Sequence, residues 1–236
     1  MAGIAHVSPR PEMRPLYESV NRDLAVACAR RAREMGVKQF IYLSSAIVFG
    51  DAAPAGEVGG ITPETSPSPA GAYGRSKLEA EHGLRALENE RFRVTILRPM
   101  MVFGAGCKGN YNALAALARR APLFPDFPNR RGMVYIDDLA ECVRRHIDEG
   151  AGGIFHPQTF IASTADLARA VAKAHGRRAL FPRAHAGQVG HGAPRLWQLL
   201  LPRGHGRPRL RPGNAHSGRM RAQNGGRTWL TSPPSC

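Results

Sequence analysis

The sequence predicts an α/β fold built on a mainly parallel sheet with flanking helices. Three observations lead there: short, uniformly apolar runs of the kind parallel strands show, amphipathic segments of helical period between them, and turn-rich stretches separating the two. At 236 residues the chain can fill one good core, as one domain or as one domain with an appendage.

From Glu18 to Met35 the apolar residues Val20, Leu24, Ala25, Ala27 and Cys28 recur at helical spacing, and Gly36 follows as a stop. Gln39 to Leu43 reads as a short buried strand that ends in Ser44 and Ser45. Asp51 to Ala72 is crowded with Pro, Gly, Ser and Thr and is expected to be a loop. A helix from Tyr73 to about Glu90 then precedes a second buried strand, Arg93 to Leu97.

Further on, the pattern predicts a helix over Tyr111 to Arg120, a Pro-broken loop around Phe124 to Pro128 and a brief strand over Met133 to Ile136. A helix over Asp137 to Asp148, an extended piece at Gly153 to Phe155 and a last helix over Thr164 to His175 complete the alternation. Two regions follow: residues 1–178 as the α/β domain, and residues 179–236 as a Gly-, Pro- and Arg-rich tail expected to be disordered.

The net charge of +15 would suit a polyanion partner, but it is unevenly placed. Residues 177–236 hold eleven Arg and no Asp or Glu, so the first 176 residues account for only +4. The tail has three aromatics, Phe181, Trp197 and Trp229, too few to interleave with its arginines, so a nucleic-acid partner is not expected. An acid-free run of this kind is also what GC-rich coding DNA yields when read out of frame, a hypothesis that the other frames of the same DNA test. Cys28, Cys107, Cys142 and Cys236 are scattered without a C-x-x-C pair, which argues against a zinc site or a disulfide framework. No apolar stretch approaches the roughly 18 residues of a membrane span, and a soluble cytoplasmic protein is expected.

The sharpest chemical signal is Tyr73-Gly74-Arg75-Ser76-Lys77, which sets a phenol and an ammonium one helical turn apart on one face. A nearby cation stabilises phenolate, and bringing a Tyr from about 10 to near neutrality takes roughly 4 kcal/mol, which would make a general base for an alcohol proton. Ser45 lies 28 residues earlier at the carboxyl end of a predicted strand, where α/β sheets place their ligand sites.

Around these residues the chain resembles the extended short-chain dehydrogenases/reductases of the NAD-dependent epimerase/dehydratase family, in the manner of the UDP-sugar 4-epimerases. The resemblance covers roughly residues 1–175. It is carried in order by Phe40 to Gly50, Ala72 to Glu81, Leu97-Arg98-Pro99 with Val102-Phe103-Gly104, and Val134 to Leu139. It implies a partial Rossmann-like sheet and Ser45, Tyr73 and Lys77 as a catalytic trio. Tyr73 and Lys77 would also touch the nicotinamide ribose of NAD, with NADP as the alternative cofactor. Asn21 would support the cofactor site, and the backbone at Pro99 would face the carboxamide. Asn110 and Arg131 match positions that meet the nucleoside-diphosphate sugar, Arg131 through the fork of its guanidinium. A homodimer is compatible with the resemblance.

The dehydratase branch carries an Asp-Glu pair just after the hydroxyl residue; here those positions are Ala46 and Ile47, which disfavours elimination of water. The family's opening strand, Gly-rich turn and helix, whose amide groups hold the pyrophosphate, and about two βαβ units with it, are expected to be missing, so that cofactor binding would be impaired. Gly104-Ala105-Gly106-Cys107-Lys108-Gly109 is a literal G-x-G-x-x-G with Asp126 further on, but Asp126 lies between prolines, and the segment fits the family's substrate-side loop better. Two alternatives accompany the epimerase reading: an NAD(P)-dependent carbonyl reductase of the same superfamily, and a non-catalytic scaffold with a nucleic-acid-binding tail.

Overall fold

The computed structural model describes Ile4 and residues 14–50, 61–62, 65–107, 110–126 and 130–183. A parallel sheet of three strands, β1 (Gln39–Leu43), β2 (Arg93–Leu97) and β5 (Gly153–Phe155), runs in the order β1-β2-β5. Its register sets Gln39 opposite Arg93 and Leu43 opposite Leu97, with Thr95 to Leu97 facing Gly153 to Phe155. All four residues from Val94 to Leu97 are buried, as an apolar run without alternation requires of a central strand.

One helical run leads into this sheet: α1 (Arg14–Tyr17), a π-helical stretch Glu18–Leu24, and α2 (Ala25–Glu34), closed by Gly36 at φ 77°. It begins one turn before the expected Glu18, where Arg14 and Glu18 pair at 2.8 Å. The other long helix of this layer is α3 (Ala72–Arg85). Between β1 and α3 lies a 3-10 turn, Ala46–Phe49. α3 stops short of the expected Glu90 because Asn89 turns the chain: its side chain accepts from the Arg91 N–H at 2.9 Å, and its backbone exchanges two hydrogen bonds with Phe92.

The core between these helices and the sheet contains Ala29, Tyr42, Ala80, Leu84, Phe92, Val94 and Ile96. Each large side chain buried there contributes roughly 1.5–3 kcal/mol by removal from water. The helices approach closely enough that a Cβ on Gly83 would lie 2.7 Å from Val26 Cγ2. At the opposite, amino end of the strands, Arg33 donates to the Leu87 carbonyl at 3.3 Å and Arg93 to the Gly150 carbonyl at 3.0 Å. Both arginines thereby satisfy carbonyls beyond helix C-termini.

A second sheet was not anticipated. β3 (Met101–Phe103) runs parallel to β4 (Arg131–Tyr135), which pairs antiparallel with β6 (Phe160–Ala162). Three-residue strands are too short to show a period, so β3 and β6 left little trace in the sequence. α4 (Asn110–Ala118) and α6 (Thr164–Ala174) pack over it around Leu114, Phe124, Met133, Leu167 and Ala168, while α5 (Ile136–Glu149) follows β4. Ser163 and Asp166 form a reciprocal capping box at the start of α6, each bond 3.0 Å.

The described chain continues past the expected boundary at 178. Leu180 and Pro182 accept from the N–H groups of Phe124 and Asp126, both at 2.8 Å, and Phe181 packs against the second core. Residues 184–236, most of the stretch expected to be disordered, lie outside the described residues. Among the described residues no helix is long and apolar enough to cross a membrane, and no group of three metal-ligating side chains occurs.

Candidate active site

Beyond the ends of β1 and β2 the two chains stay joined: Ser44 N–H donates to the Leu97 carbonyl at 2.7 Å, and Ala46 N–H to the Pro99 carbonyl at 3.1 Å. Ser45 therefore sits beside Pro99 at the carboxyl end of the sheet. It caps the 3-10 turn in an extended conformation, φ −165° and ψ 149°, with its hydroxyl accepting from the Ile47 N–H at 3.2 Å. Ala46 and Ile47 are part of that turn.

α3 brings the phenol and the cation. Gly71 caps the helix, Tyr73 lies in its first turn, and Lys77 follows one turn later on the same face. α3 docks on the turn that Ser45 caps: a Cβ on Gly74 would lie 2.9 Å from the Ile47 carbonyl oxygen, so the strand end and the first turn of the helix are in close contact. Burial pushes the Tyr73 phenol above its ordinary range; the Ser45 hydroxyl pulls it down, and Tyr17, whose ring centroid is 5.8 Å away, pushes it up. The net effect is a rise, and its largest cause is desolvation.

Lys77 is 7 % exposed, and its ammonium donates to the Leu43 carbonyl at 2.8 Å while lying 4.6 Å from the centre of the Tyr42 ring. Burial depresses its pKa to about 8, against the pull of the Glu81 carboxylate. Asn21, 1 % exposed, occupies the π-helical stretch. Its amide oxygen accepts from Ile4 N–H at 2.8 Å, and its amide nitrogen donates to the Ile4 carbonyl at 3.0 Å and to Ser76 Oγ at 3.5 Å. The Asn21 carbonyl in turn accepts from the Tyr42 hydroxyl at 3.0 Å. Asn21 thus ties Ile4, β1 and α3 together, with its side chain engaged by protein groups.

Arg131 opens β4, half-buried, its backbone in register with Ala162. Asn110 opens α4, and its side chain lies outside the described residues, as do Lys108 and Gly109 of the Gly-rich loop. Asp126 pairs with Arg169 at 2.5 Å. That partner gives the acid a structural role and removes the reason to read the Gly104 to Gly109 loop as a cofactor fingerprint.

Several side chains at the site carried no assignment in the sequence. Tyr42 lies under the Lys77 ammonium, and Glu81, Arg98 and Ser44 form a buried cluster next to it. His156, just past β5, packs its ring 5.7 Å from that of Phe49, and its Nε2 is buried without a hydrogen-bond partner among the described residues. Glu81 and Arg98 both lie within the recurrent segments Ala72 to Glu81 and Leu97 to Pro99; their pairing needs the fold to be seen.

A sequence model of the NAD dependent epimerase/dehydratase family matches residues 1–156, which include Asn21, Ser45, Tyr73, Lys77 and Pro99. The chain belongs to that family. A UDP-glucose 4-epimerase of Vibrio cholerae is 34% identical over 187 residues, covering 72% of this chain and 54% of that protein. The chain spans between 34% and 54% of the length of the curated relatives it matches. Among solved structures, a dTDP-4-dehydrorhamnose reductase from Clostridium acetobutylicum is similar with a TM-score of 0.65 at 24% identity, over 80% of this chain and 65% of that one. A UDP-glucuronic acid 4-epimerase from Bacillus cereus, in complex with UDP-glucuronic acid and NAD, gives 0.63 at 21% identity, over 78% and 60%. At these identities the likeness is one of fold: a family α/β sheet with its helices.

Proposed function

We propose that this chain is the catalytic portion of an NAD-dependent oxidoreductase that epimerises a nucleoside-diphosphate sugar, in the manner of a UDP-sugar 4-epimerase. The observation that carries the reading is the docking of the start of α3 on the end of β1: the buried Lys77 ammonium donates to the Leu43 carbonyl at 2.8 Å, and Gly74, next to Tyr73, lies against the turn that Ser45 caps. The similarity to a UDP-glucose 4-epimerase supports the choice of sugar nucleotide as substrate class.

Hydroxyls on these two docked elements can converge on a single substrate oxygen. Ser45 steadies that oxygen, and Tyr73 moves its proton. The ammonium of Lys77 can donate three hydrogen bonds, and among the described residues it donates one, to Leu43; the donor chemistry suits a ribose diol as well as a phenolate. Tyr73 and Lys77 are therefore the residues that would hold the nicotinamide-ribose end of NAD or NADP. When bound, the oxidised cofactor supplies a hydride acceptor and a positive ring charge. Such a charge acts in the direction needed to bring the raised Tyr73 phenol down. Arg131 and Asn110 are proposed to meet the sugar nucleotide, Asn21 to support the cofactor site from below, and Pro99 to flank the carboxamide.

The test mixes the whole chain, alone and joined to the strand, Gly-rich turn and helix of a relative, with NAD and UDP-glucose or UDP-galactose and follows conversion of each into the other by chromatography. Interconversion that Tyr73→Phe abolishes, with substrate affinity largely kept, supports the reading. Conversion that persists in Tyr73→Phe excludes it. Net oxidation or reduction without return of the sugar favours the carbonyl reductase instead.

A further inference from the structure

Glu81 is 1 % exposed and lies four residues after Lys77 on α3, one turn further from Tyr73. Three bonds from the Arg98 guanidinium reach its two carboxylate oxygens, at 2.6, 3.1 and 3.2 Å. The Ser44 hydroxyl donates to the same carboxylate at 2.5 Å. Ser44 directly precedes Ser45, and Arg98 directly precedes Pro99. One carboxylate therefore joins α3, the end of β1 and the end of β2, the three elements whose relative placement decides whether the Ser45 and Tyr73 oxygens meet.

We propose that Glu81 is a positioning residue of the proposed active site, holding Ser45 against Tyr73 and Lys77 through its bonds to Ser44 and Arg98. The inference rests on the catalytic reading of those three residues. A buried ion pair contributes little net stability compared with apolar residues of the same volume, so a pair at this junction is better explained by the geometry it enforces. Small displacements are costly there: a shift of about 1 Å between reacting groups can lower turnover about a hundredfold.

The same carboxylate acts on Lys77 electrostatically. The groups facing that ammonium among the described residues are Tyr73 and Glu81 on α3, Tyr42 and the Leu43 carbonyl on β1, and, across the carboxylate, Arg98 after β2. Glu81 is the one acid among them and opposes the effect of burial on Lys77. Without it the cation would be discharged at lower pH.

The experiment follows Lys77 in the whole chain by isotope-labelled lysine NMR, which is tractable because the sequence has only four lysines, Lys38, Lys77, Lys108 and Lys173. Lys77→Met assigns the signal. Glu81→Gln is expected to lower the Lys77 midpoint by about one unit or more, while Glu81→Asp, which keeps the charge, leaves it nearly in place. Under the conversion assay Glu81→Gln should cut kcat roughly tenfold or more with little change in KM, and Glu81→Asp should recover part of the loss. If the unpaired Arg98 prevents Glu81→Gln from folding, the double variant Glu81→Gln/Arg98→Gln is read by kcat, because loss of the Arg98 charge acts on Lys77 in the opposite direction. An unmoved Lys77 midpoint in folded Glu81→Gln overturns the proposal, as does an unchanged kcat in either folded variant. Should Tyr73→Phe leave conversion intact, the catalytic reading fails on its own, and the Lys77 titration still decides the link between Glu81 and Lys77.

Discussion

The ammonium of Lys77 is fastened to the main-chain carbonyl of Leu43 at 2.8 Å, which ties the middle of α3 to the last residue of β1. This bond and the Tyr42 ring beside it satisfy a charge that burial disfavours. The pH dependence of stability follows from the depressed pKa. Between about 8 in the folded chain and the ordinary 10.5, the unfolded chain binds more protons, so stability rises with pH across that window. The contribution is complete above the unfolded value and lost as pH falls through the folded one. A shift of this size corresponds to about 3 kcal/mol at about 1.4 kcal/mol per unit. Denaturant unfolding at about pH 7 and about pH 10 should show that slope in the native chain and its loss in Lys77→Met.

Ser45→Ala removes the bond from the Ile47 N–H that caps the 3-10 turn, and with it the hydroxyl that favours ionisation of the Tyr73 phenol. The cap is worth about 1 kcal/mol, read as a fall in Tm. Loss of that hydroxyl leaves the effect of burial less opposed, so the phenol should titrate at higher pH than in the native chain. Ultraviolet difference titration, with Tyr73→Phe as the blank, measures this directly. Turnover should fall about a hundredfold, the effect of losing one preorganised donor to the reacting oxygen.

The parts of this site that could be read in advance are local in sequence. The apolar runs at Gln39 to Leu43 and Arg93 to Leu97 marked the strands, and the Tyr73 to Lys77 spacing put phenol and cation on one helix face because a helix turn is a property of the backbone alone. What escaped the sequence depends on pairs far apart in the chain. Glu81 meets Ser44 and Arg98 only after β1, β2 and α3 have docked, and nothing in the spacing of these residues signals it. The widened π turn through Asn21 is likewise invisible, since the apolar period of Glu18 to Met35 is satisfied by an ordinary helix. The rise that burial imposes on the Tyr73 phenol is invisible for a third reason: desolvation is set by the surrounding packing, which no local pattern reports.

Gly74 stands where α3 crosses the 3-10 turn. A Cβ at this position would lie 2.9 Å from the Ile47 carbonyl oxygen and 2.9 Å from Pro69 Cβ, so the turn and the helix must separate to admit it. Gly74→Ala is therefore expected to lower stability by about 1–3 kcal/mol, despite the better helix propensity of Ala. Because Ser45 caps that turn, the substitution should also move Ser45 relative to Tyr73 and reduce turnover. Gly71→Ala provides the control: a Cβ there meets nothing within 4 Å, and the change should cost only about 1 kcal/mol or less. Comparing the two variants by thermal unfolding and by the Tyr73 titration separates close approach from a general loss of glycine.

Phe181 lies beyond the last helix, yet it closes the second core. Its ring is 6.0 Å from that of Phe124 and 4.6 Å from the Arg169 guanidinium, and the latter also holds Asp126 at 2.5 Å. The backbone on either side is paired to the loop after α4, through Leu180 with Pro122 and Phe124, and through Pro182 with Asp126. A segment with few apolar residues is held here by one aromatic side chain and by the main-chain bonds it positions. Removing the ring takes away both the buried area and the cation–π contact, which together suggest a loss of about 3 kcal/mol in stability. Phe181→Leu keeps most of the buried area and should cost less than half as much. Hydrogen exchange offers a local reading of the same effect: in Phe181→Ala the amides of Phe124, Asp126 and Leu180 should exchange faster, while those of Ile96 and Leu97 in the first sheet keep their protection. Equal loss in both sheets would show that Phe181 supports the whole fold rather than the second core.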